Sequence, residues 1–371
     1  MSGVLLQKLP NPFIMDNNKA VSTTEEWLLR RGEIKKSLID ICYGGTPPPP
    51  DFTEGKLLHA SGNGGLETYL ITTGFKDRKI SFELRLYAPI PEKGKVYPVV
   101  LDGDGCWPTM SEKVIDTFIR RKIIIAQFNR CSLVRDVDDI NEVLNSPLYH
   151  LFPGSDFGSL SGWAWGFSRC IDVLEKLPFT DKGNIAITGH SRGGKAVMLA
   201  GAVDERPLVI NPNCSGAGGC GCWRYRAGDN NRNSGERSEV LSDLLRAFPN
   251  WLGKKMKDYQ DRESLLPFDQ HYLKALAAPR YFLQTDAAAD IWANPQGSYG
   301  TLLAAREVYR FLGAEDHLLC NFREGLHDHT PEDFEILADL IECIRNGLAP
   351  AKNLQRDFYP EMREIFDWQS P

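Results

Sequence analysis

The hydrophobic residues of this chain follow two kinds of spacing, and the order in which these occur predicts the fold. Apolar residues recur at helical spacing through residues 23–41, where Thr24 is the expected helix cap. Four prolines at residues 47–50 then form a stiff, extended connector. Apolar and polar residues alternate through residues 79–90, which indicates a half-buried strand, and residues 66–75 are its expected hairpin partner.

Beyond this hairpin, short continuous apolar runs alternate with helical patterns. Continuous apolar strands separated by helices are typical of a mostly parallel sheet that is covered on both faces, so we predict an α/β fold. A polar loop is expected over residues 224–238 beside the sheet. The predicted strands are residues 97–101, 123–128, 185–188, 208–211, 281–284 and 317–322. The predicted helices are residues 162–177, 193–202, 299–312 and 331–345.

Composition and charge exclude several classes of protein. The 371 residues are 42% hydrophobic and 25% charged, as is usual for globular proteins. The net charge of −6 provides no basic surface for nucleic acid, and no apolar run is long enough to span a membrane. The nine cysteines are odd in number, and the amino terminus lacks the features of a signal peptide. We therefore expect a cytoplasmic protein with reduced thiols, or a secreted one if a leader was removed.

The sharpest local motif is Gly-His-Ser-Arg-Gly at residues 189–193. It follows a predicted strand and precedes a helix of small residues, which is the setting of a nucleophile elbow. The turn must be so tight that only glycine fits two positions before and after Ser191. An ordinary glycine-rich turn between a strand and a helix is the alternative interpretation.

A serine hydroxyl needs a base to take its proton, and the base needs a carboxylate to orient it. His327 lies in the loop between the last predicted strand and the last predicted helix, and His329 is its competitor. Asp286 and Asp290 both follow the strand at residues 281–284. We favour Asp290 as the acid, because Asp286 is close enough to the strand end to bond the local backbone as a turn residue.

Three cysteines, Cys214, Cys220 and Cys222, cluster after the fourth predicted parallel strand. A zinc site would need a fourth ligand at suitable spacing, and no nearby Cys or His supplies one, so we expect no metal. Small residues packed behind the nucleophile are the preferred interpretation. Trp292 lies in the predicted active-site loop, where its ring can either stack on a sugar or simply cover the loop.

These motifs resemble those of the glucuronoyl esterases, carbohydrate esterase family fifteen. The resemblance covers most of the chain in the same order. It includes an amino-terminal lead-in, TTEEWLLRRGEI followed by YGGTPP. The matching stretches are TGHSRGGK, NCSGAGGCGCWR, WAWGFSRCID, LPFDQH, APRYF, DIWANPQG and REGLHD.

The resemblance implies an α/β-hydrolase, a three-layer αβα sandwich that cleaves esters of (4-O-methyl)glucuronic acid on xylan with an alcohol, as in lignin. By position, Ser191 matches the nucleophile and His327 the base. The residue Arg192 matches one that helps to form the oxyanion hole. The positions that match contacts to the uronic acid are Lys195, Glu236 and Trp292. No cofactor or metal is implied.

The sequence departs from the fungal pattern at two positions. Fungal members carry the triad acid as a glutamate where this chain has Cys214, and many bacterial relatives instead have an aspartate that matches Asp290. Fungal members also have a disulfide-bonded cysteine before the serine, where this chain has His190. The first departure favours the bacterial type, with Asp290 as the acid, and the second agrees with a reduced environment.

We therefore expect one α/β-hydrolase domain over residues 1–371, with residues 1–50 as an extension packed on it. The expected partner is a carbohydrate ester of glucuronic acid, with no nucleic acid or membrane, and the expected state is a monomer. Two alternatives stay open. One is an acetyl xylan or other alkyl esterase on the same fold, and the other is a non-catalytic carbohydrate-binding relative.

Overall fold

The computed structural model describes residues 3–62, 65–108, 110–228 and 236–371, and a sheet of nine strands lies at the centre of this part of the chain. Two further strands, β1 and β9, pair separately as a short antiparallel ribbon. The strands are β1 Val4–Leu5, β2 Phe52–Ala60, β3 Gly65–Phe75, β4 Arg78–Ala88, β5 Tyr97–Asp102, β6 Ile124–Phe128, β7 Thr180–His190, β8 Val209–Asn213, β9 Tyr225–Arg226, β10 Tyr281–Ala287 and β11 Leu318–Arg323.

The large sheet has the strand order β11-β10-β8-β7-β5-β6-β4-β3-β2. The six strands from β11 to β6 in that order pair in parallel, whereas β4, β3 and β2 continue the sheet as an antiparallel meander. The parallel strand β5 is buried at every residue. Its continuous apolar run therefore reflects burial on both faces, as the sequence pattern predicts.

Helices cover both faces of the sheet. They are α1 Thr24–Cys42, α2 Glu112–Arg120, α3 Ile140–Leu144, α4 Pro147–Leu151, α5 Ser159–Leu174, α6 Arg192–Val203, α7 Leu241–Ala247, α8 Gln270–Ala275, α9 Pro295–Phe311 and α10 Pro331–Arg345. Successive residues of β5 point into different cores: Val100 packs with α2 and α10, and Val99 packs in the core that holds α5, α6 and α9. The predicted α/β three-layer sandwich with a mostly parallel sheet is confirmed.

The amino-terminal helix α1 packs on the core that holds α5, α6 and α9, through Trp27, Ile34 and Leu38. Its cap is Thr23, whose hydroxyl accepts the N–H of Glu26 at 3.3 Å, so the expectation of Thr24 as cap is wrong by one residue. The organisation as one domain with an extension at residues 1–50 stays a prediction. Among the described residues, every helix is too short or too polar to cross a lipid bilayer.

Several strands differ from the sequence prediction. The edge strand β2 was not predicted, because all but one of its nine residues are exposed and no apolar alternation marks it. Strand β7 begins five residues before the predicted start at residue 185, in a polar stretch where Thr180 pairs with Tyr97 of β5 and the register then shifts before Ile185. The predicted loop at residues 224–238 begins as strand β9, and its residues 229–235 lie outside the described residues.

Candidate active site

Ser191 lies at the sharp turn between β7 and α6. Its backbone has φ 55° and ψ −119°, a conformation that side-chain-bearing residues rarely adopt. A Cβ atom at Gly189 would lie 2.8 Å from the carbonyl carbon of Gly193, and one at Gly193 would lie 2.1 Å from a carboxylate oxygen of Asp104. The two glycines are therefore required for the turn to close, as expected of a nucleophile elbow.

Ser191, His327 and Asp290 form one continuous chain of hydrogen bonds. The Oγ atom of Ser191 lies 2.9 Å from Nε2 of His327, and Nδ1 of His327 lies 2.5 Å from Oδ2 of Asp290. Asp290 is buried, and its other carboxylate oxygen accepts the N–H of Ala293 at 3.3 Å. With its ring proton on Nδ1, the imidazole can accept the serine proton at Nε2.

His329, the competing base, has a different environment. It is buried and stacks on Phe334, with the ring centroids 3.8 Å apart. Burial, together with the neighbouring His190, holds the pKa of His329 well below its usual value. The structure therefore brings His327 to the serine and leaves His329 in the packing behind it.

Asp286, the competing acid, lies inside β10 and not in a turn, which corrects the expectation for its role. Its carboxylate accepts a hydrogen bond from the side chain of Gln284 at 2.7 Å. Burial is the largest cause that raises the pKa of Asp286, to about 7. The buried carboxyl group of Asp286 thus bonds within its own strand, and the carboxylate that contacts the imidazole of His327 is that of Asp290.

His190, directly before Ser191, packs against His327. Its ring centroid is 4.6 Å from that of His327, and its Nδ1 lies 2.7 Å from Oδ1 of Asn213. Burial lowers the pKa of His190, and His327 lowers it further. A neutral ring at this position fills space beside His327 without adding a second positive charge.

A buried ion pair contacts the backbone of the elbow. The sequence analysis did not indicate this pair. Asp104 accepts the backbone N–H of His190 at 2.6 Å and is paired with the guanidinium of Arg130. Both side chains of this pair are fully buried. Arg130 also lies between the rings of Trp107 and Trp163, at 4.5 and 5.0 Å from their centroids.

Arg192 lines the cavity in front of the serine, and its guanidinium is fixed on several sides. It donates to Asp136 at 3.1 Å and lies 4.8 Å from the ring centroid of Phe248 and 4.7 Å from that of Trp251. These two rings stack on each other with centroids 3.7 Å apart. The backbone N–H of Arg192 belongs to the first turn of α6, where a developing negative charge is favoured.

Lys195 lies one turn further along α6, and its ammonium has three protein partners. It donates to the carbonyls of Ser215 and Ala217 at 2.8 and 2.6 Å and to Oε2 of Glu239 at 3.1 Å. The side chain is almost fully buried, although it contributes to the cavity wall. Lys195 therefore fixes the orientation of a carboxylate that faces the cavity.

The structure does not bring Glu236 to this cavity, which corrects the sequence assignment. Glu236 is exposed, whereas Glu239 lines the cavity and has a side chain that is only 9% exposed. The backbone explains the difference: Ser238 N–H bonds to the carbonyl of Ala227, and Glu239 N–H bonds to the carbonyl of Trp292 at 2.9 Å. These bonds turn Glu239 inward, a long-range effect that two glutamates three positions apart in the sequence do not reveal.

The cavity has a volume of about 270 Å³ and an open mouth. One wall is apolar and aromatic, and the half-buried Trp292 has the guanidinium of Arg237 at 5.4 Å from its ring centroid. The residues that line it include Ser191, Arg192, Lys195, Cys214, Glu239, Arg246, Phe248, Trp251, Trp292 and His327. Hydrogen-bonding groups and aromatic faces around one nucleophile suit a small polar ring such as a sugar.

The clustered cysteines have separate surroundings. Cys220 contacts the sulfur of Met198, and Cys222 contacts Asp269, so these thiols do not converge with that of Cys214. Cys214 has φ 42° and contributes to the cavity wall beside the triad. Burial, together with Asp286 and Asp290, strongly raises the pKa of the Cys214 thiol. The group is therefore neutral and does not replace a carboxylate.

The nucleophile elbow, the parallel sheet and the Ser–Asp–His order define an α/β-hydrolase. The family model described as glucuronyl esterase, fungi, matches residues 71–313. The chain is 30% identical to the 4-O-methyl-glucuronoyl methylesterase of Hypocrea jecorina (strain QM6a), over 98% of this chain and 76% of that protein. The chain belongs to the glucuronoyl esterase family and is a serine carboxylic ester hydrolase.

Solved structures agree with this assignment. A carbohydrate esterase family 15 glucuronoyl esterase from Caldicellulosiruptor kristjansonii superposes with a TM-score of 0.83 at 30% identity, over 97% of each chain. The catalytic domain of the glucuronoyl esterase from Hypocrea jecorina gives a TM-score of 0.80 at 26% identity, over 100% of this chain and 98% of the other. The family resemblance stated from the sequence motifs is confirmed.

Proposed function

We propose that this esterase hydrolyses esters of glucuronic acid or 4-O-methylglucuronic acid through an acyl-enzyme on Ser191. The observation that carries the mechanism is the unbroken chain of contacts from the Oγ atom of Ser191 through His327 to Asp290. It supports serine as nucleophile, histidine as base and aspartate as the group that orients the base.

In the first half-reaction, Oγ of Ser191 attacks the ester carbonyl while Nε2 of His327 takes the hydroxyl proton. The imidazolium that forms is stabilised by Asp290, whose Oδ2 accepts a hydrogen bond from Nδ1–H at an N···O distance of 2.5 Å. His327 then gives its proton to the leaving alcohol. In the second half-reaction, His327 takes a proton from the water that attacks the acyl-enzyme, and it returns this proton to Oγ of Ser191 as the acid leaves.

The oxyanion of each tetrahedral intermediate lies near the start of α6. The backbone N–H of Arg192 in its first turn and the guanidinium of the same residue supply positive potential there. Asp136 and the stacked rings of Phe248 and Trp251 hold that guanidinium before substrate binds. A group held in place in this way needs little reorganisation during the reaction.

Recognition of the uronic acid ring involves three cavity residues. Glu239 offers carboxylate oxygens to sugar hydroxyls, Lys195 holds that carboxylate, and Trp292 offers an aromatic face. In this role Glu239 replaces the sequence candidate Glu236. The names of the curated relatives support the substrate class, since the Hypocrea jecorina protein and a relative from Wolfiporia cocos are both named as 4-O-methyl-glucuronoyl methylesterases.

A panel of esters tests the substrate class. We expect the enzyme to prefer benzyl glucuronate to p-nitrophenyl acetate and acetylated xylan when kcat/KM values are compared at one pH. A preference for the acetyl esters would instead support the alternative, an acetyl or alkyl esterase on the same fold. The monomeric state and the cytoplasmic location stay predictions from the sequence.

A further inference from the structure

Cys214 has no role in the esterase mechanism, yet it forms a compact group with two members of the triad. One atom from each of Cys214, Asp290 and His327 — the thiol sulfur, a carboxylate oxygen and an imidazole nitrogen — lies within 4.8 Å of the other two. Sulfur, nitrogen and oxygen ligands of these types bind Zn²⁺ and Cd²⁺. Three protein ligands with an open fourth position are a common metal arrangement.

The charges around Cys214 favour a cation. The carboxyl groups of Asp286, Asp290 and Asp333 act electrostatically against the Cys214 thiolate, and the guanidinium of Arg323, which is paired with Asp333, acts in the opposite direction. A field of this sign disfavours the free thiolate, but it stabilises a divalent ion at the same place. A metal ion that binds there would also neutralise the thiolate that it creates.

The dimensions of the group are close to those of a metal site. Ligand bonds of roughly 2.0 Å for nitrogen and oxygen and 2.3 Å for sulfur place the ligand atoms of a tetrahedral zinc ion about 3 to 4 Å apart. Side-chain movements on the order of 1 Å would bring the three atoms to those positions. Cys214 and His327 both line the open cavity, so an ion can reach them from solvent.

We propose that Cys214, Asp290 and His327 bind a thiophilic divalent cation and that the bound ion inhibits the enzyme. The inhibitory part rests on the proposed function, because two of the ligands are its base and its orienting acid. On binding, the thiol proton leaves to solvent as the sulfur–metal bond forms, and the neutral imidazole binds through one ring nitrogen while its single proton stays on the other. No group changes oxidation state. Inhibition therefore weakens as the pH falls, since protons compete for the same atoms.

The binding site is tested first without reference to activity. Ser191→Ala protein is titrated with Cd²⁺ while the ultraviolet charge-transfer absorption of a cadmium–thiolate bond is recorded. We expect the absorption to saturate at one ion per chain, to disappear with Cys214→Ala added, and to remain with Cys343→Ala added. Cys343 is a matched control because it is a partly exposed free thiol on α10. If the Ser191→Ala protein shows no such absorption, the proposed site is wrong. The same holds if the absorption remains after Cys214→Ala is added.

The inhibition is tested separately on the active enzyme, with each variant compared with its own metal-free rate. Loss of an outer partner of a metal ligand costs about 10–100-fold in affinity, so loss of the thiolate ligand should cost at least as much. We expect Cys214→Ala to need at least about tenfold more Zn²⁺ for half inhibition, Cys343→Ala to match the wild type, and a chelator to restore the rate. Equal zinc sensitivity of Cys214→Ala and wild type would contradict inhibition through this site. Cadmium binding without esterase activity would instead contradict the proposed function alone.

Discussion

Asp104 accepts the backbone N–H of His190, the residue directly before Ser191, at 2.6 Å and so ties the turn at Ser191 to the carboxyl end of the neighbouring strand β5. Its other carboxylate oxygen is paired with the fully buried Arg130. The strained turn at Ser191 is therefore held by a charge pair inside the protein, and not by its glycines alone.

Removing one partner of this pair should destabilise the whole fold. Arg130→Ala leaves Asp104 buried without its counter-charge, which typically costs about 3–5 kcal/mol. We expect a loss of this size in the free energy of unfolding, measured by chemical denaturation. The control is Arg120→Ala, which breaks the exposed pair with Asp116 and should change stability by less than about 1 kcal/mol. Equal effects of the two variants would show that the buried pair does not hold the elbow.

The assignment of the triad acid predicts a large difference between two neighbouring variants. Asp290→Ala should lower kcat by about 10⁴-fold, because the imidazole loses the carboxylate that orients it. Cys214→Ala should have a mild effect, since its neutral thiol makes no contact that the mechanism uses. Comparison of kcat in metal-free buffer checks both, and the reverse ordering would exclude Asp290 as the acid.

The assignment of the base is tested on two histidines of the same loop. His327→Ala should lower kcat/KM by about 10⁴–10⁶-fold, because it removes the group at 2.9 Å from the serine hydroxyl. His329→Gln should lower stability, since His329 packs on Phe334, while kcat/KM stays within about tenfold of the wild type. A greater loss of activity in His329→Gln, at a protein concentration corrected for folding, would favour His329 as the base.

The two glutamates of the cavity region provide a test of substrate binding. Glu239→Gln keeps the shape of the side chain but removes the charge that Lys195 holds, and we expect kcat/KM for benzyl glucuronate to fall by about 10–100-fold. Glu236→Gln changes an exposed residue and should leave kcat/KM within about twofold. A larger loss from Glu236→Gln would restore the sequence assignment of this residue.

Most of the fold could be predicted from the sequence, and so could the three residues Ser191, Asp290 and His327 that the structure brings into contact, because both depend largely on local patterns. The apolar run of β5 reflects the burial of that strand, and the glycines around Ser191 reflect the lack of space for side chains in that turn. The choice between Glu236 and Glu239 depends on the backbone bonds from Ser238 to Ala227 and from Glu239 to Trp292, and Trp292 is distant in the chain. No local pattern encodes such contacts.

The buried pair of Asp104 and Arg130 was not predictable for a related reason. Charged residues near strand ends usually face solvent, and nothing in the sequence marks these two as partners. Their pairing follows from the bridge between Asp104 and Asn129, which places the ends of β5 and β6 side by side. Residues that contact the site without lining its cavity can therefore be identified only from the three-dimensional structure.

Asp286 predicts a pH dependence of stability with a definite sign. Burial raises its pKa to about 7, whereas the carboxyl group of an unfolded chain titrates at about 3.9. Between these values the native group holds a proton that the unfolded group has lost, so the free energy of unfolding should fall as the pH rises from about 4 to 7. Asp286→Asn should remove this part of the slope, and Asp116→Asn, at an exposed site, should retain it. Parallel pH profiles for wild type and Asp286→Asn would contradict the raised pKa.

The most direct test of the central claim is the kcat/KM for benzyl glucuronate of wild type and Ser191→Ala, with folding verified by their unfolding curves. The account predicts that wild type hydrolyses this ester and that Ser191→Ala loses about 10⁴–10⁶-fold in rate while remaining folded. Undiminished hydrolysis by Ser191→Ala, or a folded wild type without activity on the uronate ester, would contradict the proposed serine mechanism or its substrate.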